Sequence, residues 1–409
     1  MGNFSDQLQK TYESLSKDSA KKLRGKAWEK YLQLGLPTKK SESYQYVKLP
    51  LITQGQYCFS SSHEIKTIDP YVLPECKNSV FVFVNGTYSE ELSRTKEIQD
   101  KIVSMPLSKA AISYSAFLNN QWNESVKAEK DPFAFLNGAL HLDGLFLLVP
   151  PDCILDTPVQ ILHLVNTGTI PTIVQPRLHL FAGKNSESSF IFQTKEVVPK
   201  FGTNPTLLGI NQVYELTLDE NAQVKTTQIS DPLQGWHLDA FRATLKRASR
   251  LKNICSTSGS LTTRHDYRIR LVGEQAEVDL KGIAKLEGKK EAHTYVFIEH
   301  EAPHCRSNQE FRAVLKGVSR SSFEGKIYVH PDAQKTEAYQ LNNNLLLDDR
   351  SIAYSKPNLE IFADDVKASH GATVGQLDPE QLFYLKTRGF SHEQAQEILI
   401  EAFCSSIWM

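Results

Sequence analysis

The chain has 409 residues, 40% hydrophobic and 23% charged, with 46 Lys and Arg against 47 Asp and Glu for a net charge of −1. Such a length can bury a large core, and the even balance gives no field for nucleic acid or an anionic membrane. The longest apolar run, Leu145 to Val149, is far short of the roughly 20 residues that span a bilayer, and the N-terminus is polar, so a cytoplasmic protein without a membrane segment is expected.

Leu8, Tyr12, Leu15, Leu23, Trp28, Tyr31 and Leu32 recur near helical spacing, and Gly35-Leu36-Pro37 stops the pattern. A small helical domain is expected at 1–78. Ser79 to Val84 reads as a strand ending in the Asn85-Gly86 turn. Asp131-Pro132 opens a short helix, with Asp as cap and Pro at the first position. From about Leu140 to Asp365, short alternating runs follow one another, among them Gln160–Val165, Tyr267–Val272, Thr294–Ile298 and Phe323–Val329. Ala240–Leu251 alone fits either strand or helix. So many strands cannot form one flat sheet, which leaves a sandwich, a barrel or a parallel β-helix. Small residues within the runs, and an expected turn at Asn342-Asn343-Asn344 whose side chains ladder between coils, favour the β-helix. The core domain is placed at 79–365.

A C-terminal helical domain is expected at 366–409. Asp378-Pro379 starts one helix, and Ser391 with Gln394 starts another. Their apolar stripes either pack on the body or meet a partner.

The six cysteines, Cys58, Cys76, Cys153, Cys255, Cys305 and Cys404, include no Cys-x-x-Cys, so neither a zinc knuckle nor a thioredoxin-type site is encoded. His300-Glu301-Ala302-Pro303-His304 matches the zinc peptidase spacing, which needs both histidines on one helix face. Pro303 and the β-branched run before it argue for a strand and a turn instead. Asp348-Asp349 and Asp364-Asp365 are carboxylate pairs of the kind that β-helix polysaccharide enzymes use, and also ordinary turn residues. No phosphate-cradling Gly-x-x-x-x-Gly-Lys run and no Gly-x-Ser-x-Gly elbow is present. His370, between Ser369 and Gly371, is expected in a loop joining the β body to the last helices, as a metal ligand or a hinge.

A longer composite pattern runs through Gly325-Lys326-Ile327-Tyr328-Val329, Gln340 to Leu347, Pro357 to Val366, and Ser369-His370-Gly371-Ala372-Thr373-Val374-Gly375. Gly35 to Lys40, with Glu42 and Tyr44, adds an N-terminal counterpart. Together these resemble the SufB/SufD family of iron–sulfur cluster assembly proteins, on the SufD side. The resemblance implies a right-handed parallel β-helix core flanked by N-terminal and C-terminal helical domains. It implies a non-enzymatic subunit of a SufBCD complex that supports cluster assembly on a SufB-like partner and is coupled to a SufC-like ABC-type ATPase. Leu382, Phe383, Leu385, Ile398, Leu399 and Phe403 then become the implied ATPase contact, and His370 the implied metal ligand at the SufB interface. Many members carry Cys two residues before that histidine, where this chain has Ala368. No cofactor is therefore expected on the chain alone, and a transient cluster shared with SufB would draw its sulfur ligand from the partner. Homodimer formation without SufB is left open. The competing reading is a cytosolic β-helix enzyme acting on polysaccharide.

Overall fold

The computed structural model describes residues 3–15, 21–59, 65–166, 170–197 and 207–408. The strands wind into a parallel β-helix built from two ten-stranded sheets with the core between them. One sheet ends at the strand Val366–Gly375 and the other at Ile352–Ile361. Successive coils stack in register: Gln228, Cys255, Gly282, Phe311, Asn342 and Ala372 form one row, 27 to 31 residues apart. That unequal spacing is why no strict repeat is legible in the sequence.

Side chains alternate between lumen and surface, as the two-residue period of a strand requires. In Arg250–Thr257, Leu251, Asn253, Cys255 and Thr257 are buried while their neighbours are not. Phe83, Phe190, Phe192, Tyr214, Phe241, Tyr267, Phe311 and Phe323 fill the lumen. The segment open to either reading, Ala240–Leu251, divides between the strands Gly235–Leu245 and Arg250–Thr257.

The corners fix the stacking. Asp152, Asn185, Asn221, Ala248, Gln275, His304 and Lys335 all adopt φ between 54° and 62°. Each of the seven donates its backbone N–H to a carbonyl of the next coil. Asn185 and Asn221 add a side-chain ladder, at 2.8 Å to Asp152 and 3.0 Å to Asn185. At the opposite corner Gly259, Gly288 and Gly317 hold positive φ. A Cβ on Gly317 would meet the Gly288 backbone at 3.2 Å, so glycine there permits both the turn and the close approach. The asparagine ladder thus exists at a corner. Asn342-Asn343-Asn344 is not a turn; it lies inside the strand Thr336–Leu346.

The helices Phe4–Leu15, Lys21–Leu34 and Pro132–Leu140 share a core with Trp236 and Leu238 of the second sheet. The expected boundaries shift at both ends. Leu107–Ser113, Ser115–Ala128 and Pro132–Leu140 add helices well beyond residue 78, and strand structure continues past 365 to Gly375.

A buried ion network clamps this layer to the sheet. Asp131 caps its helix through the N–H groups of Phe133 and Ala134 and accepts from Tyr44 Oη at 2.7 Å. Arg264 pairs with Asp131 and Asp266, each at 3.0 Å, and lies 4.1 Å from the Tyr44 ring centre. Arg242 grips Glu129 with two hydrogen bonds. Burial alone would raise the Asp266 pKa, but Arg242, Arg268 and Arg264 hold it well below the usual carboxylate range.

The lumen also carries neutral histidines. Burial holds His163 at about 3, His237 at about 4 (despite Asp239 nearby) and His300 at about 3. His265 goes the other way. Burial lowers it, but the Cys255 sulfur and the Asp239 carboxylate raise it to about 10.

Two predictions follow from the charges. Arg264→Ala leaves Asp131 and Asp266 buried without their shared partner and is expected to cost about 3–5 kcal/mol. Urea unfolding checks this, and a loss below about 1 kcal/mol would remove the network from its clamping role. Below about pH 6.5 the unfolded chain protonates at positions 163, 237 and 300 while the native chain does not. Stability from these three is complete above pH 6.5 and falls towards pH 4, by about 1.4 kcal/mol per pH unit for each. His265, with its raised value, contributes most below pH 6.5 and loses that contribution as pH rises to about 10. The urea midpoint is therefore expected to drop between pH 7 and 4.5, and a flat midpoint would contradict the neutral histidines.

Candidate functional site

His370 lies in the strand Val366–Gly375, not in a loop. Ser369 and Gly371 read locally as loop residues, but ten in-register pairings with Thr336–Leu345 extend the chain through them. The strand also fixes the direction of the side chain. Ala368 packs with Ile327, Val329, Ala333 and Ala338, so it faces the lumen. His370, two residues on, shares that face. It continues the row Leu280, Gln309, Gln340, yet it is exposed because no coil follows. His370 therefore stands at the open mouth of the β-helix, with Ala368 beside it.

Among the described residues the two last strands each leave one edge unpaired at this end. Both are ten residues long and run in unbroken register with their neighbours. Around them Phe362 is 56% exposed, and Tyr354 stacks on Tyr46 of the N-terminal segment at 4.3 Å. Lys356 bridges Glu42 and Glu324, which ties that segment to the last coils.

The C-terminal helices are Pro379–Thr387 and His392–Ser405, capped as expected by Asp378 and by the Ser391–Gln394 box. Gly389, at φ 97°, closes the first one: its N–H reaches Lys386 O while Phe390 N–H reaches Leu385 O. The far end of the hairpin is anchored. Cys404 and Ile407 are buried against Ile283, Val314 and Leu345, and Arg312 covers the Phe403 ring at 5.1 Å. The near end is bare. Phe383 and Ile398 are exposed, while Leu382, Leu385 and Leu399 are half-buried. Phe403 thus belongs to the anchor rather than to a free face. Tyr384 and Phe390, 56% and 41% exposed, join the free surface and were outside the expected stripe. Their exposed aromatic rings were the available signal. Met409 lies outside the described residues.

The other motifs disperse. His300 is buried on a strand and pairs with Ser307 Oγ at 2.9 Å, while His304 is a corner residue, so the two share no helix face. The zinc peptidase reading is overturned. The Asp348 carboxylate accepts from the Gly317 N–H at one corner, and Asp365 lies at the other, where its backbone carbonyl accepts from Lys335 N–H. The two carboxylate pairs therefore do not converge on one bond. Among the described residues no group of three His, Cys, Asp or Glu is arranged to hold a metal. No helix among them is long and apolar enough to cross a membrane. All six cysteines are free; Cys58 is exposed, Cys153 half-buried and the other four buried.

The family model described as "SUF system FeS cluster assembly, SufBD core domain" matches residues 163–403, and that of the SufBD N-terminal region matches residues 3–161. The chain belongs to the SufBD family. An iron-sulfur cluster assembly SufBD family protein of Synechocystis is 29% identical over 91% of this chain and 83% of its own length. The iron-sulfur cluster assembly protein SufD of Escherichia coli is 27% identical over 92% and 85%. A chloroplastic protein of Arabidopsis thaliana is 24% identical over 94% and 81%. The SufBD core match takes in the strand of His370 and nearly all of the hairpin. The two features on which a site can be built thus fall inside the family domain.

Proposed function

We propose that the chain is a SufD-like, non-catalytic subunit of a cytoplasmic SufBCD complex. It supports iron–sulfur cluster assembly on a SufB-like partner and couples to a SufC-like ABC-type ATPase. The observation that carries this reading is the contrast between the two ends of the β-helix. At the N-terminal end one sheet finishes in a strand of four residues with Pro106 in it, and the other in Thr87–Arg94, which is bulged against its neighbour and bears Glu90 and Glu91. Such devices blunt an edge against further pairing. At the C-terminal end both edges are ten residues long and unbulged; Ile352–Ile361 carries Pro357, whereas Val366–Gly375, the strand of His370, has no proline and keeps the regular form that accepts a strand from a partner.

In this reading the SufB-like partner extends the sheet that ends at Val366–Gly375 and covers the mouth. His370 supplies one imidazole to iron or to a nascent cluster, which is the cargo of assembly. Ala368 offers no thiolate, so the sulfur ligand comes from the partner. The bare near end of the hairpin receives the ATPase. Only Gln376 and Leu377 separate the His370 strand from the Asp378 cap, so movement of a docked ATPase would act close to the mouth.

Two experiments test the assignment. His370→Ala, co-expressed with SufB-like and SufC-like partners, should leave the complex intact and lower its iron and sulfide content several-fold. Unchanged content would end the ligand role. Changing Phe383, Tyr384 and Ile398 together to alanine spares the Cys404–Ile407 anchor and should abolish co-purification of the ATPase. Retained binding would move that contact elsewhere.

A further inference from the structure

Beneath His370 the lumen row contains two stacked amides. Gln309 and Gln340 occupy consecutive coils, and Gln340 Nε2 donates to Gln309 Oε1 at 2.9 Å. Gln340 is only 3% exposed, and its Oε1 has no hydrogen-bond partner among the described residues. Buried polar atoms are rarely left so. The residue after Gln340 in the row, one coil further out, is His370. Room for the amide is provided across the lumen by Gly325, where a Cβ would lie 2.1 Å from Gln340 Nε2. Any other residue at 325 would displace Gln340 from the row.

A histidine that binds a metal through one ring nitrogen usually donates its other N–H to an oxygen acceptor, which fixes tautomer and ring direction. Gln340 supplies a free carbonyl oxygen below the only imidazole at the mouth among the described residues. We propose that Gln340 is a positioning residue for His370, resting on the reading of His370 as a ligand. Its Oε1 accepts the imidazole N–H and leaves the second ring nitrogen unprotonated and turned out of the mouth. Gln309 holds the Gln340 amide from below, so orientation is passed up the row to the site.

The test uses Gln340→Met, which keeps volume and loses the acceptor, and Gln340→Glu, which keeps an oxygen and adds charge. Nitrogen-15 NMR of the imidazole in the full-length chain reads the tautomer directly. In Q340M the tautomer preference of His370 should be lost. In Q340E, which keeps an oxygen acceptor, it should be kept. In the co-expressed complex Q340M should lower bound iron about tenfold, within the range for such outer partners, and Q340E should restore much of it. An unchanged tautomer preference in Q340M would overturn the proposal, whatever the iron content. If His370→Ala assembles clusters normally while the NMR changes appear, the ligand role falls and the Gln340–His370 coupling stands.

Discussion

Everything in this molecule rests on coil-on-coil register. A one-residue slip in a strand would exchange lumen and surface side chains along its whole length. The corners prevent it. On one side a left-handed residue in each coil donates its N–H to the next, and on the other a column of glycines lets the turns nest. Asn221, Asn185 and Asp152 reinforce the first column through their side chains. Because the rows are kept faithful to the last coil, the direction of His370 is set by residues far below it.

The same stacking explains what is polar and what is exposed. A lumen closed by the next coil can keep histidines neutral and amides paired, and the last coil has nothing above it. His370, which would be another buried lumen residue one coil lower, is therefore available at the surface. The helical layer is held differently, by the charges of Arg264, Arg242, Asp131 and Glu129 and by the Tyr57 hydroxyl under Trp236 Nε1 at 3.0 Å. Those contacts leave the edges of the last two strands free, so the layer steadies the solenoid without closing its mouth.

Two surfaces of different character thus sit near each other. The strand edges offer backbone hydrogen bonds, which favour a partner with complementary edges. The hairpin offers aromatic side chains from a base pinned by Ile407 and Arg312.

Local signals in the sequence settled whatever depends on neighbouring residues. Asp131, Asp378 and Ser391 cap helices, Asn85-Gly86 turns a hairpin, and alternation marks the strands, because caps, turns and strand faces are decided within a few residues. The β-helix class was legible through the composite pattern of residues 325–375, which also singled out His370 as a candidate. Tertiary structure alone decided that Ser369-His370-Gly371 is strand, since pairing with Thr336–Leu346 outweighs local loop preference. It also decided that His304 is a corner, that Phe403 is an anchor and that Arg264 reaches Asp131, 133 residues away. Those outcomes depend on which coil stacks on which, and no short window of sequence contains that information.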